Sequence, residues 1–267
     1  RWLRPLDSRK PFHWTVIRSG PLETWVSGSA TRACTMTEAP RHRGDYGIDG
    51  SFHRVPLGGQ LAALAIGCLA LAVYGGIALA RGPQWAGVAA FVLDAGILAQ
   101  VGLYWHATRA GKFKVWDDVL DGLRLRGDET VLDMGCGRGA VLCAAAKRLP
   151  GGRAIGVDLW QADQTANSAD ATVANAALAG VADRLEVRTG DMTALPLPDA
   201  SVDVVVSNLA IHNIGSREGR RRALTEAARV LRPGGRLAIA DLWEIRNHAD
   251  QLRELGWCDV TWHNLGW

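Results

Sequence analysis

Val131-Leu132-Asp133-Met134-Gly135-Cys136-Gly137-Arg138-Gly139 is the stretch that decides the fold. A short apolar run ends in Asp133, and three glycines alternate with other residues behind it. Ala140-Val141-Leu142-Cys143-Ala144-Ala145-Ala146 then reads as the start of a helix. Strand, glycine loop and helix together make a cradle for a nucleotide-like ligand, because glycine permits sharp turns and close approach of the backbone. Gly135-x-Gly137-x-x-Ala140 also satisfies a dinucleotide pattern. Asp158, about 20 residues on, could hold a ribose in either case. The loop alone leaves NAD and another adenosine ligand open.

Working outward, strand-like and helical patterns alternate. Strands are expected at 130–134, 153–158, 184–189, 202–207 and 235–241, and helices at 138–148, 164–178 and 217–231. Alternation of this kind predicts an α/β fold, a doubly wound and mostly parallel sheet with ligands at the strands' C-terminal edge.

Four separated segments then resemble, in order, the class I S-adenosylmethionine-dependent methyltransferases. The first is the 131–139 loop. The second is Ala154-Ile155-Gly156-Val157-Asp158. The third is Gly190-Asp191-Met192 with Leu195-Pro196-Leu197-Pro198-Asp199 and Val202-Asp203-Val204-Val205-Val206-Ser207-Asn208. The fourth is Leu231-Arg232-Pro233-Gly234-Gly235. The resemblance implies S-adenosylmethionine as cofactor. Asp133, Gly135, Cys136, Gly137 and Gly139 would face its methionine part. Asp158 would accept the ribose hydroxyls, with Leu159 and Trp160 beside the adenosine. Asp191 would accept the adenine amino group, Met192 would pack on the ring, and Asn208 would face the methyl group. A bland role stands beside each carboxylate: a loop cap for Asp133, a strand end for Asp158, a turn for Asp191.

His212, in Asn208-Leu209-Ala210-Ile211-His212-Asn213, is the candidate general base at the expected mouth, or else a substrate-lining or structural histidine. Asn208 is the other candidate catalytic residue. Asn208-Leu209-Ala210-Ile211 lacks the N-P-P-Y-like motif of many DNA and protein amide methylating enzymes.

Upstream, the composition changes abruptly. Residues 61–80 contain no charge, and residues 85–105 contain one, Asp94. Twenty residues at helical rise span about 30 Å, the thickness of a bilayer's hydrocarbon core. The reading is a transmembrane hairpin over 57–106, with two buried core helices or a signal peptide as alternatives. Arg41, Arg43 and Arg54 precede it, Arg109, Lys112 and Lys114 follow it, and the turn carries only Arg81. Both ends are therefore expected in the cytoplasm. A carboxylate at mid-bilayer is costly, so Asp94 is expected protonated, paired or facing another helix.

Residues 1–56 carry no chemical motif and read as loop or disorder. The chain opens at Arg1 and its first methionine is Met36, so both ends read as cut and translation from Met36 is one expectation. Residues 107–267 form the methyltransferase domain in this reading. Trp257–Trp262 would be a sixth strand, and the usual antiparallel seventh is missing.

A net charge of +3 with scattered basic residues argues against nucleic acid. Cys34, Cys68, Cys136, Cys143 and Cys258 form no C-x-x-C pair and no zinc set, so no metal is expected and a reducing compartment fits. The expectation is a membrane-anchored methyltransferase acting on a small or lipophilic acceptor such as a lipid, quinone or phenol. An NAD(P)-binding oxidoreductase and a non-catalytic cofactor-binding membrane adaptor are the alternatives.

Overall fold

The computed structural model describes residues 15–19, 44–50, 55–241 and 244–264. The chain divides into two units. The sheet unit draws on Arg1–Asp45, Val115–Trp160 and Ser168–Trp267, and the hairpin unit on Tyr46–Lys114 and Gln161–Asn167. The segment 161–167 groups with the hairpin unit.

The sheet unit is built on strands β2 (Thr130–Met134), β3 (Arg153–Asp158), β4 (Leu185–Thr189), β5 (Val202–Asn208) and β6 (Leu231–Asp241). They are parallel, in the order β4-β3-β2-β5-β6. β2 is buried along its whole length and β5 along most of it, as expected of strands covered on both faces, and both read as near-continuous apolar runs. Helices α3 (Lys112–Gly122), α4 (Ala140–Ala146), α5 (Ala169–Ala179), α6 (Arg217–Val230) and α7 (Ile245–Glu254) are the connectors. Ser168 caps α5 by accepting from Ala171 N–H, and Ser216 caps α6 by accepting from Gly219 N–H. On α6, Ala223, Leu224, Ala227 and Val230 recur at helical spacing. They bury against Leu132, Val205 and Leu237 of the sheet, a core that Leu252 of α7 also joins.

Two findings correct the sequence-based expectation. Among the described residues the sheet has seven strands, and the antiparallel slot expected to be empty is filled from upstream. It is β1 (Thr15–Ser19), from within the segment read as disordered, and it lies antiparallel between β6 and β7 (Thr261–Asn264). The backbone pattern of Thr-Val-Ile-Arg-Ser is strand-like, but five residues in an aperiodic stretch carry too little signal to be picked out. Within the same stretch, Asp45 accepts an ion pair from Arg138 of the glycine loop at 2.9 Å. Met36 lies outside the described residues, as do the other positions of 1–14, 20–43 and 51–54.

In the hairpin unit, helix α1 (Leu57–Arg81) and helix α2 (Gln84–His106) are antiparallel neighbours. They cross closely where Gly87 lies against Gly75 and Leu79: a Cβ on Gly87 would stand 2.8 Å from the Gly75 carbonyl oxygen. Ile66, Leu69, Val73, Ile77, Val88, Val92, Leu93 and Leu98 are all exposed. Asp49 ties the end of this unit together, accepting from Lys112 at 3.1 Å and from Gln164 at 2.7 Å.

Behind the sheet, Glu129 is fully buried at the head of β2. It accepts from Arg126 N–H, Gly127 N–H and the Arg236 guanidinium, each at 2.7–2.8 Å. Burial acts to raise its pKa, but these donors overcome it and hold the carboxyl at about 2, below its ordinary 4.5. A depressed folded pKa contributes stability that is complete above pH 4.5 and is lost as pH falls towards 2. Glu129→Gln is therefore expected to lower the unfolding free energy at pH 7 by about 2–3 kcal/mol. It should also flatten the pH dependence of stability between pH 4.5 and 2, as measured by urea unfolding.

Candidate active site

The C-terminal ends of β2, β3, β5 and β6 carry the candidate site. At the end of β2, Gly135 has φ +72° and its N–H donates to Val157 O at 2.8 Å. The loop can approach β5's following turn only because Gly135 has no side chain: a Cβ there would lie 2.2 Å from Ala210 Cβ and 3.1 Å from Met192 Cε. Met192 is thus brought to the loop. Gly139, also at positive φ, starts α4 and donates to Cys136 O. Cys136 packs its sulfur towards Gly156 of β3, and burial with the nearby Asp133 pushes its thiol pKa well up. It remains a neutral thiol that shapes the loop.

Two carboxylates meet here. Asp158 ends β3 and accepts from Gly137 N–H at 2.8 Å and from Trp160 N–H at 2.6 Å. Asp133, 1% exposed, lies close enough to feel that charge. Burial first and Asp158 second push its pKa up to about 8. Its Oδ1 is buried without a hydrogen-bond partner. A buried carboxyl oxygen left unmet is costly, and a cationic amino group would satisfy it. Asp133 and the glycine cradle therefore fit the amino-acid end of S-adenosylmethionine, and Asp158 stands one strand over.

The remaining expected residues are placed less uniformly. Leu159 follows Asp158 and is exposed, and Trp160 donates its indole N–H to Thr189 Oγ1 at 2.8 Å. Asp191 is exposed and its Oδ1 accepts from Thr193 N–H at 2.8 Å, so one of its oxygens serves a turn. Asn208 is half-buried at the end of β5, and its Oδ1 accepts from the Trp116 indole at 2.8 Å.

His212 lies in the short turn Ile211–Asn213 after β5. Its Nδ1 is 2.5 Å from Asp241 Oδ1, and its backbone N–H donates to Asp241 Oδ2 at 3.0 Å. Asp241 ends β6 and is 1% exposed. A carboxylate accepts only, so Nδ1 carries a proton, and a neutral ring held this way has its lone pair on Nε2. This is the geometry of a base with an orienting group.

Sequence reasoning missed Asp241 and Trp116. Asp241 ends a predicted strand on the ligand edge, the same signal that singled out Asp158. Trp116 is buried on α3, where an indole N–H needs a partner, and that partner is Asn208.

A parallel sheet with this strand order, a glycine turn after its first parallel strand and acidic residues at the next strand ends defines a doubly wound domain for an adenosine cofactor. Residues 132–239 match the methyltransferase domain family. The chain is 33% identical over 142 residues to a ubiquinone/menaquinone biosynthesis C-methyltransferase of Roseobacter denitrificans, covering 53% of this chain and 54% of that protein. It is 36% identical over 126 residues to an arsenite methyltransferase of Halobacterium salinarum, covering 47% and 30%. It thus spans about half, or less, of the length of these relatives. A solved S-adenosylmethionine-dependent methyltransferase of Aquifex aeolicus aligns with TM-score 0.45 at 22% identity, over 53% of this chain and 78% of that one. The sheet unit thus carries a methyltransferase domain, matched over residues 132–239. The ambiguity of the loop between two cofactors is thereby resolved.

Two outcomes are expected. Gly135→Ala should abolish S-adenosylhomocysteine binding measured by calorimetry, since both the positive φ and the Ala210 contact oppose a methyl group. In the intact protein, that affinity should rise with pH by up to about tenfold per unit until pH 8, because the ligand's ammonium selects ionised Asp133. Binding at pH 7 should release a proton to buffer, and Asp133→Asn should remove both effects.

Proposed function

We propose that this chain is a membrane-anchored methyltransferase, moving a methyl group from S-adenosylmethionine to a small or lipophilic acceptor of the lipid, quinone or phenol type. When bound, the cofactor supplies a methyl group made electrophilic by its sulfonium. Asp133 and the backbone of Gly135 and Gly137 hold the amino-acid end, Asp158 the ribose, and Met192 the adenine. Leu159 and Asp191 line that side, and Asn208, fixed by Trp116, stands at the reacting end. His212 takes the acceptor's proton at Nε2, and Asp241 holds the ring and stabilises the imidazolium that results. The oriented His212–Asp241 pair at the mouth of the cofactor loop carries the catalytic reading.

The acceptor class rests on the hairpin. A core helix of a soluble protein is mostly buried, whereas the apolar windows of these two helices are only 11% and 17% buried. Exposed apolar surface over this length supports insertion in a bilayer, which concentrates hydrophobic acceptors near the site. The basic flanks support a cytoplasmic orientation of the domain. Pairing of β1 with β6 adds to this, because segments before and after the hairpin that share one sheet stand on one side of the bilayer. The relative from Roseobacter denitrificans, a C-methyltransferase of quinone biosynthesis, also favours a lipophilic acceptor.

Membranes carrying the full chain, incubated with methyl-labelled S-adenosylmethionine, should place label in the organic-extractable fraction. Asp158→Ala should abolish it. His212→Ala should reduce it about 10²–10⁴-fold with S-adenosylhomocysteine affinity unchanged. Label confined to water-soluble products would overturn the acceptor class, and undiminished transfer by His212→Ala would overturn the base.

A further inference from the structure

Asp241 is the last residue of β6, and the pairing of that strand differs on its two sides. On the β5 side the register ends at Asn208↔Ala240, one residue short of Asp241. On the β1 side it continues, with Ile17↔Ile239, Val16↔Ala240 and Thr15↔Asp241. Among the strand pairings, Asp241 is therefore met by β1 alone. Thr15 also faces Asn264 of β7, and β7 joins the sheet only through β1.

The tolerance at this point is small. Both Asp241 oxygens are engaged by His212, one at the ring and one at the backbone N–H. A strand end with an open edge frays, and a shift of about 1 Å in the orienting carboxylate is enough to lose a productive base. Chain order makes the arrangement unusual, since the strand that holds this end comes from before α1 and α2 while the rest of the sheet comes after them.

We infer that strand β1, the segment upstream of the membrane hairpin, is a positioning element of the active site: it completes the sheet and holds Asp241 where it orients His212. The inference rests on the proposed role of His212 for its effect on methyl transfer, but the positioning itself has its own readout. Ile17 is paired on both sides, to Ile239 and to Trp262, so a proline there removes a ladder hydrogen bond in an interior strand. β1 stands three strands, about 14 Å, from β2, so the cofactor loop lies beyond the range of direct coupling.

The test uses the full chain in detergent micelles, with 15N-labelled histidine and S-adenosylhomocysteine as probe. The intact protein should show one far-downfield Nδ1–H resonance, assigned by its loss in His212→Ala. Ile17→Pro should lose that resonance while S-adenosylhomocysteine affinity changes less than about threefold, as expected of distant sites. A chain beginning at Met36 should behave likewise, and a synthetic peptide of residues 12–21 added to it should restore the resonance. If the shortened chain fails to bind S-adenosylhomocysteine by itself, the same peptide should restore binding and resonance together. Retention of the resonance in Ile17→Pro or in the shortened chain would overturn the inference, as would a shortened chain that the peptide restores in no respect. A resonance that depends on β1, combined with normal methyl transfer by His212→Ala, would leave the positioning standing and refute the base.

Discussion

One carboxylate connects the loops on which the site depends. Asp158 accepts from Gly137 N–H in the turn after β2 and from Trp160 N–H in the turn after β3. Two backbone segments from neighbouring parallel strands are thereby held to a single side chain at the sheet's C-terminal edge. The same charge lies beside Asp133 and, with burial, keeps that carboxyl largely protonated at neutral pH. A cradle built this way is neutral towards water but favours a ligand that brings its own cation. The glycines serve the same end, since any side chain at Gly135 would occupy the space between the loop and Ala210.

The second half of the site follows a similar design with different chemistry. β5 and β6 end side by side, one delivering Asn208 and the turn with His212, the other delivering Asp241. Each polar group there is held by something buried: Asn208 by the Trp116 indole, His212 by Asp241. These contacts tie the placement of both side chains to the geometry of the sheet. The antiparallel strand β1 joins the sheet on the β6 side, although its source lies upstream of two long apolar helices.

Much of this was legible in the residues. Strand and helix periodicity placed β2 to β6 and α4 to α6 to within a few residues, because buried parallel strands and amphipathic helices write their burial into the sequence. Asp133, Gly135, Asp158 and Met192 were identified from local pattern, and they meet in space because the doubly wound fold gathers successive strand ends at one edge. The uncharged length of α1 and α2 was equally plain. Pattern did not reveal the partner of each polar group. Trp116 showed no sign of a polar partner and Asp241 read only as a strand terminus, since the indole–amide and imidazole–carboxylate contacts span 92 and 29 residues of chain.

The sequence by itself determined the order of elements, the cofactor loop and the apolar hairpin, all set by interactions among residues close in the chain. Only the tertiary structure decided that Thr15–Ser19 fills the antiparallel slot, that Asp241 orients His212 and that Asp133 Oδ1 is left unmet. Those outcomes depend on which distant segments share a sheet edge or are excluded from water, and a short stretch of residues carries no record of either.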